Sequence, residues 1–567
     1  MRVSSFKSRF HALPIWIFPI LIITTILLAS VAFQWSYSPL LPMDDTYIHF
    51  VYAQNLVEHG QLMFNYASEK GVGSTSLLWV LMLASGYLLG LPIHVVAKVL
   101  GIGSLIIVGI ALFLLLNSIW GSTLGLAAAF LITLSGNMLW FALSGMETML
   151  FLALGILALL VYKAERWVLL GIVLGMLILT RPDGLALAIA IGCVDLIRHK
   201  TIQKGILVTA AVCVVVCAPW FVYLKWRSGY FLPSSVISKT LTFTVGKSWM
   251  MDRNEFINIV GRFPPLTYVA MWMIYFLEFS LGGMAFPSPQ IDISTVAGMS
   301  GYTLSLWAVV GLVGVILPLV ISSIKRVPPI RKWSHWLQKQ AHRPMFVLLV
   351  WTILQNAGYA IIFPIPGTAS RYGALNHIVL WLLLVNGFLS IGGRRRLLIW
   401  LSIGTIFIAT SNTLYWSGVY QANIQHMQNV RKKAAHFVSE YFSPDELCAA
   451  YDLGAVRYFS QRPITDMAGL IDPIAAKRIQ VGEVDEYLIE NGVTFVVWPG
   501  RIDTMGKGSW FNLAEIMGLQ STSLFKMKEV AMFEVDYHQW LHGYLPTGNY
   551  QAEVTIYQLE EPAESNE

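Results

Sequence analysis

The sequence predicts a polytopic α-helical membrane protein with a soluble α/β domain at its C-terminal end. Three observations carry this. Of 567 residues, 56% are apolar and only 12% are charged, about half the charged fraction of a soluble domain, and mean hydropathy is +0.61. Apolar runs long enough to cross a bilayer recur along most of the chain. The charge is also divided. Residues 1–416 hold 27 Lys and Arg against 12 Asp and Glu, a net of +15, while residues 417–567 hold 11 against 20, a net of −9. A single soluble core, a disordered chain and a disulfide-stapled secreted domain are excluded. The division predicts a membrane domain over 1–416 and a soluble domain over 417–567, which at about 150 residues is of ordinary size. The pI of about 8.9 does not point to nucleic acid, because the basic residues lie in loops between apolar runs, where they set topology.

The basic start, Arg2 to His11, leads into an apolar run at 13–33 with no small-residue cleavage site. It reads as a first transmembrane helix with its N-terminus in the cytoplasm. Further runs occupy 75–91, 93–116, 121–140, 146–162, 167–180, 184–197, 205–224, 264–284, 301–324, 344–363, 375–391 and 397–415. Two of the thirteen are ambiguous. Run 75–91 is short and hydroxyl-rich, and run 264–284 opens on Pro264-Pro265 and carries Glu278. Loop 325–343 has six Lys and Arg, and Arg394-Arg395-Arg396 follows run 375–391. Both are therefore expected to be cytoplasmic, which puts the C-terminal domain outside. Counting both ambiguous runs gives thirteen spans and counting neither gives eleven, and the parity works either way. The weaker hold of the charge rule on longer segments favours eleven. The soluble part reads as α/β: strand-like Leu447–Tyr451 and Thr494–Trp498, helical patterns at 474–479 and 483–491, and punctuating glycines. The acidic tail Glu560–Glu567 reads as disordered. The four cysteines, three of them in apolar runs, read as small packed residues rather than a framework or a metal site.

Candidate chemistry starts at Asp44-Asp45, immediately after the first span. Carboxylates at a membrane edge are costly to desolvate. One Asp caps a helix over Thr46–His59 that ends at Gly60, but a cap needs only one. Paired carboxylates suit transfer at an electrophilic carbon: one deprotonates the attacking hydroxyl, and the other hydrogen-bonds the acceptor or holds a metal. Gly71-Val72-Gly73-Ser74-Thr75-Ser76, with Trp79, offers close backbone approach, hydroxyls and an aromatic. It suits a sugar or, equally, a flexible turn. Glu147, Arg181 and Arg371-Tyr372 sit at breaks between apolar runs. Arginine matches phosphate oxygens, although snorkelling or an Arg181–Asp183 pair accounts for the same residues. The twelve histidines show no metal spacing, and His49 reads as a polar-face residue.

Taken together, these segments resemble the GT-C superfamily of polytopic glycosyltransferases that use polyprenyl-phosphate-linked sugars. Asp44-Asp45-Thr46-Tyr47-Ile48-His49-Phe50, Tyr52 to Leu56, Phe64-Asn65 and Gly73 to Ser76 with Trp79 are similar to its first external loop. Ser144 to Thr148, Leu179 to Gly184, Leu232 to Ser235 with Lys239, Arg371-Tyr372, Asp452 to Ala455 and Asp466 to Pro473 are similar to later motifs. The group most resembled contains bacterial terminal arabinofuranosyltransferases. More distant relatives are protein O-mannosyltransferases and lipid A aminoarabinose transferases. The chain departs from that pattern at Gly71-Val72-Gly73-Ser74 and at Pro233-Ser234-Ser235.

The resemblance implies about eleven transmembrane helices plus interfacial helices, with the Asp pair, the Glu147 turn, the Arg181 turn and the Arg371 loop on one external face. It implies an integral protein of the cell (inner) membrane that transfers a sugar from a polyprenyl-phosphate donor to a glycan, lipid or protein acceptor. It further implies Asp44 as the base, with Asp45 orienting the acceptor or stabilising the anomeric carbon. Arg371 and Arg181, with Lys98 and Lys239 in reserve, are implied for the donor phosphate. His49, Tyr52, Ser74, Thr75, Trp79, Glu147 and Tyr372 are implied around the sugar and acceptor. No cofactor and no metal are expected. A lipid-linked-sugar transporter or flippase is the alternative; it predicts inverted repeats, which the sequence lacks.

Overall fold

The computed structural model describes residues 14–34, 38–65, 71–238, 290–292, 303–305, 333–362, 368–391, 399, 403, 413–502, 513–520, 522–535 and 553–561. The run at 264–284, most of the runs at 301–324 and 397–415, the Arg394-Arg395-Arg396 loop and residues 562–567 of the acidic tail lie outside them.

The described residues of the first half are mostly helical. It comprises α1 (Ile17–Phe33), α2 (Asp44–His59), α3 (Leu77–Leu88), α4 (Ile93–Trp120), α5 (Ser122–Thr133), α6 (Gly136–Leu143), α7 (Thr148–Lys163), α8 (Trp167–Thr180), α9 (Leu185–His199) and α10 (Lys204–Ser228). A two-stranded ribbon follows, β1 (Gln290–Asp292) with β2 (Thr303–Ser305), so run 301–324 opens in a strand. Then come α11 (Trp333–Ala341), α12 (Pro344–Ile362), α13 (Ala374–Ile391) and α14 (Thr413–His426). At 28 and 25 residues, α4 and α10 are each long and apolar enough to cross a bilayer alone. Run 121–140 is not one rod: α5 and α6 meet at a 61° bend. The break has a polar cause. The Ser135 and Asn137 side chains hydrogen-bond each other at 2.7 Å, and Ser135 Oγ lies 2.9 Å from His377 Nε2 on α13, so these groups are satisfied inside the bundle and not along one helix. The chain is thus a mostly helical, multi-span membrane-type protein, with α4 as the hub against which α1, α3, α5, α6 and α7 pack.

α14 runs through residues 416 and 417 and passes by a π-helical turn, Met427–Arg431, into α15 (Lys432–Tyr441). The C-terminal part is a mixed five-stranded sheet in the order β4-β3-β5-β7-β6. β3 (Leu447–Ala450), β4 (Ile464–Asp466) and β5 (Val493–Pro499) are parallel, whereas β7 (Glu553–Glu560) runs antiparallel to both its neighbours, β5 and the edge strand β6 (Lys526–Glu534). The sheet also carries α16 (Leu453–Ser460), α17 (Pro473–Val481), α18 (Val484–Glu490) and the short α19 (Leu513–Ile516). Strand alternation sends side chains to two faces. Ala449, Val496 and Trp498 pack under α17 and α18. Cys448, Ala450, Phe495 and Val497 join the same core as the membrane helices.

The two parts are therefore closely joined. Tyr47 and Phe50 of α2 pack their rings on Tyr458, and Tyr47 also on Phe459, at centroid distances of 4.9 to 5.7 Å. The Asn65 amide bonds both the N–H and the C=O of Ile464 at 3.0 and 2.9 Å, pairing the edge of β4 as another strand would.

Candidate active site

A cavity of about 520 Å³ opens where the first turn of α2, the 71–76 loop, the 144–147 turn, α12 and the 3-10 turn Thr368–Gly373 converge. Each of these is held by a specific contact. Thr46 Oγ1 donates to Ser144 O at 2.8 Å and Trp79 Nε1 to Gly145 O at 3.0 Å, fixing the turn that presents Glu147. The 71–76 loop is clasped from below and from the side. Gly73 N–H donates to Tyr52 Oη at 2.7 Å, Val72 N–H to Ser234 Oγ at 3.2 Å, and Ser235 Oγ–H to Gly73 O at 2.6 Å. The two motifs that depart from the GT-C pattern thus touch one another. Gly71 and Gly73 lie against the backbone of Ile471 and Leu470 so closely that a Cβ at either would collide, and Leu470 itself reaches the cavity.

One wall is cationic. α8 stops at Thr180 because Pro182 disfavours helical geometry at the residue before it, and Arg181 is extended at φ −155°. Its guanidinium grips Asp183 at 3.1 and 3.0 Å and donates to Tyr359 Oη at 2.6 Å. Arg371, from the 3-10 turn, donates through Nη2 to Asp45 and to Tyr372 Oη, while its buried Nε–H has no acceptor among the described residues. The Tyr372 ring lies within about 5 Å of both guanidinium carbons and stacks on Tyr359. Facing them are Asp45, His49 and Glu147. His49 Nδ1 contacts Ser74 Oγ at 3.2 Å, and Nε2 lies 3.6 Å from Glu147 Oε2, which has no hydrogen-bond partner among the described residues. The remaining wall is apolar, with Ile48, Leu185, Ile189, Leu232 and Leu354. Leu185 and Ile189 stay about half exposed, so the cavity continues onto the outer, apolar surface of the helices.

The cavity brings together eight of the sequence-predicted residues: Asp45, His49, Ser74, Thr75, Glu147, Arg181, Arg371 and Tyr372. Four others are elsewhere. Asp44 points away, toward the C-terminal part. It accepts from Gly454 N and Ala455 N, both at 2.9 Å, and from Arg431 Nη1 at 3.2 Å. Burial pushes its carboxyl up to about 6, with Arg431 pulling the other way. A carboxylate whose two oxygens are already occupied, outside the cavity, is not placed to take an acceptor proton. Tyr52 and Trp79 are fully buried and act through the backbone bonds given above. Lys98 is buried on α4, its amine donating to Gln34 Oε1 at 2.9 Å and Ser38 O at 2.7 Å, and it does not line the cavity. Lys239 lies outside the described residues. Among the described residues no three His, Cys, Asp or Glu side chains gather as a metal would require.

Sequence reasoning missed Gln355 and Tyr359. Gln355 donates to Asp183 Oδ2 at 2.9 Å and Tyr359 at 3.1 Å. With Thr352 and Asn356 they form polar positions three or four residues apart in a mostly apolar run, a stripe that spacing alone could have disclosed.

Comparison with known proteins fits this fold. A family model described as "Domain of unknown function (DUF8728)" matches residues 420–557. Sequence comparison with curated proteins finds no match. Among solved structures, the chain is similar to the Archaeoglobus fulgidus oligosaccharyltransferase tethered with an acceptor peptide containing the NVT sequon, with a TM-score of 0.53 and 11% identity over 94% of this chain and 77% of that one. It is also similar to ArnT from Cupriavidus metallidurans in the apo state, with a TM-score of 0.51 and 13% identity over 96% and 97%. The same ArnT bound to undecaprenyl phosphate gives a TM-score of 0.50 at 13% identity, with the same coverage. At such identities the likeness is one of fold: the chain shares the overall fold of these two membrane proteins.

Proposed function

We propose that this protein is an inverting membrane glycosyltransferase that moves a sugar from a polyprenyl-phosphate donor to an acceptor hydroxyl on the extracytoplasmic face. The observation that carries the reading is the shared guanidinium of Arg371. It neutralises the one carboxylate of the Asp pair that faces the cavity, and it keeps an N–H with no acceptor among the described residues. A bound undecaprenyl phosphate in one structural neighbour and an acceptor peptide in another support it.

The chemistry follows from charge. A polyprenyl-phosphate sugar is a phosphodiester with one negative charge. When the bond from the anomeric carbon to the phosphate oxygen breaks, the electron pair stays on that oxygen and the leaving phosphate gains a second charge. Arg371, with Arg181 across the Tyr372 ring, meets that growing charge, the kind of matching worth about 10²- to 10³-fold per group. As Arg371 turns to the phosphate, Asp45 loses its counter-ion and takes the proton of the acceptor hydroxyl while the acceptor oxygen bonds the anomeric carbon. A positioned base contributes about 10²- to 10⁴-fold. His49, Glu147, Ser74 and Thr75 hold the sugar and acceptor hydroxyls. The lipid lies along Leu185 and Ile189.

In this reading about eleven helices span the cell (inner) membrane, the N-terminus is cytoplasmic, and residues 417–567 form the extracytoplasmic α/β domain over the catalytic domain of 1–416. The likeness of the first-loop motifs to terminal arabinofuranosyltransferases makes pentosyl donors the first to try, ahead of hexosyl ones, in cell-envelope glycan, glycolipid or glycoprotein synthesis.

The test is binding of undecaprenyl phosphate to the purified protein in nanodiscs, beside Arg371→Ala and Arg181→Ala, with undecaprenol as the control that lacks phosphate. Affinity for the phosphate falls 10-fold or more in each variant, an expected loss of about one charge-assisted contact or more. Undecaprenol binds wild type and variants alike. Phosphate-independent binding, or variants equal to wild type, contradicts the reading. Passage of an intact lipid-linked sugar across the membrane favours a transporter.

A further inference from the structure

The Asp pair divides between two tasks, and the second is not chemical. We infer that Asp44 is a positioning residue, through which the C-terminal domain fixes the first turn of α2 and with it the carboxylate of Asp45. The inference rests on the transferase reading, since it assigns Asp45 the chemistry.

Asp44 receives three donors, all from residues more than 380 positions away: Arg431 and two backbone N–H groups in the first turn of α16, at Gly454 and Ala455. These N–H groups have no partner within their own helix, so the carboxylate caps a helix in another part of the chain. Arg431 is itself bridged. Its Nη2 donates to Asp452 Oδ2 at 2.7 Å, directly before α16, and it closes the π-helical turn Met427–Arg431, a local irregularity often found where function needs one side chain re-aimed. Gly454 lies against the backbone carbonyl of Asp44, and a Cβ there would collide. The rings of Tyr47 and Phe50 on Tyr458 and Phe459 extend the grip one turn further. Asp44 and Asp45 are adjacent on one helix, about 100° apart. Fixing the first therefore fixes the height and rotation of the second, on which the pairing with Arg371 depends. Positioning of this kind is sensitive, since displacement by about 1 Å costs up to about 100-fold.

The experiment is a double-mutant cycle on transfer by the full-length protein, using Asp44→Asn, Arg431→Gln and the pair, with Gly454→Ala as an independent perturbation from the C-terminal side. Each single change lowers kcat about 10- to 100-fold with little change in donor KM. The double variant is no worse than the worse single one, and the dependence of kcat on pH keeps the shape of wild type because Asp45 is intact. Asp45→Asn lowers transfer by about 10³-fold or more. Were Asp44 itself the base, Asp44→Asn would abolish transfer, Arg431→Gln and Gly454→Ala would be mild, and no non-additivity would remain. That outcome overturns the inference. Hydrogen exchange of the α2 and α16 amides is the second readout. Faster exchange in both helices on Arg431→Gln supports the clamp even if no tested donor is turned over, and unchanged exchange contradicts it. Wild-type inactivity toward every lipid-linked sugar, with the clamp intact, counts against the transferase reading alone.

Discussion

Two arginine–carboxylate groups flank the first turn of α2, and they are built to opposite standards. At the junction with the C-terminal sheet, Arg431 is divided between Asp44 and Asp452, and Asp44 also accepts two backbone N–H bonds. Asp44 is 12% exposed. At the cavity, Asp45 is 34% exposed, and its partner Arg371 keeps one buried N–H without an acceptor among the described residues. A buried polar group left unsatisfied costs about 1–3 kcal/mol, so the second arrangement is the less stable of the two as it stands. The contrast falls within two adjacent residues: the Asp44 group is closed on itself, whereas the Asp45 group faces the cavity beside an Arg371 N–H that has no acceptor among the described residues.

The sharpest way to break this comparison is at the cavity. Asp45→Asn lowers transfer by about 10³-fold or more, the upper range for loss of a base, with thermal stability nearly unchanged. A smaller effect follows for Arg371→Lys. An ammonium does not reproduce the planar fork, and kcat falls about 10²-fold. Glu147→Gln keeps the shape but removes the charge opposite His49 and raises the substrate KM about 10-fold, roughly one hydrogen bond to a charged group. Tyr52→Phe sharpens the contrast from the structural side. It leaves the Gly73 N–H without its acceptor and costs about 1–3 kcal/mol of stability, seen as a lower unfolding midpoint.

A further effect is on the pH dependence of stability. Burial pushes Asp466 up to about 7 although it accepts from Ala468, Ile471 and Asp472. A raised folded-state pKa means the folded form binds the proton more tightly, so this contribution is full below about 3.8 and is lost as pH rises through about 7. Unfolding midpoints of the full-length protein measured across that window fall with rising pH, and Asp466→Asn flattens the slope.

Much of the architecture was legible because apolar runs and charge asymmetry are strong signals. The runs at 93–116 and 205–224 are α4 and α10, and the strand-like stretches near 447 and 494 are β3 and β5. β6 was not read, because Lys526–Glu534 is an edge strand whose charged residues obscure the alternation, and β7, which lies inside the sheet beside it, was not read either. The bend at Ser135 was hidden because its cause, His377, lies more than 240 residues away. The site was legible as residue types at breaks between runs, which is how Arg181, Arg371 and Glu147 were found. The division of the Asp pair was not legible. Adjacent helical residues differ only in azimuth, and the donors that claim Asp44 are distant in sequence. For the same reason Trp79 and Tyr52 resembled ligand-facing aromatics, when their polar atoms serve the backbone.

The most direct test of the central claim is turnover of a mixed pool of polyprenyl-phosphate sugars by wild type and Asp45→Asn, with host envelope extract as acceptor. The account predicts that wild type releases polyprenyl phosphate and labels the acceptor, while Asp45→Asn folds, binds undecaprenyl phosphate and releases nothing. Equal release by the two proteins, or translocation of the intact lipid with no release by either, contradicts it.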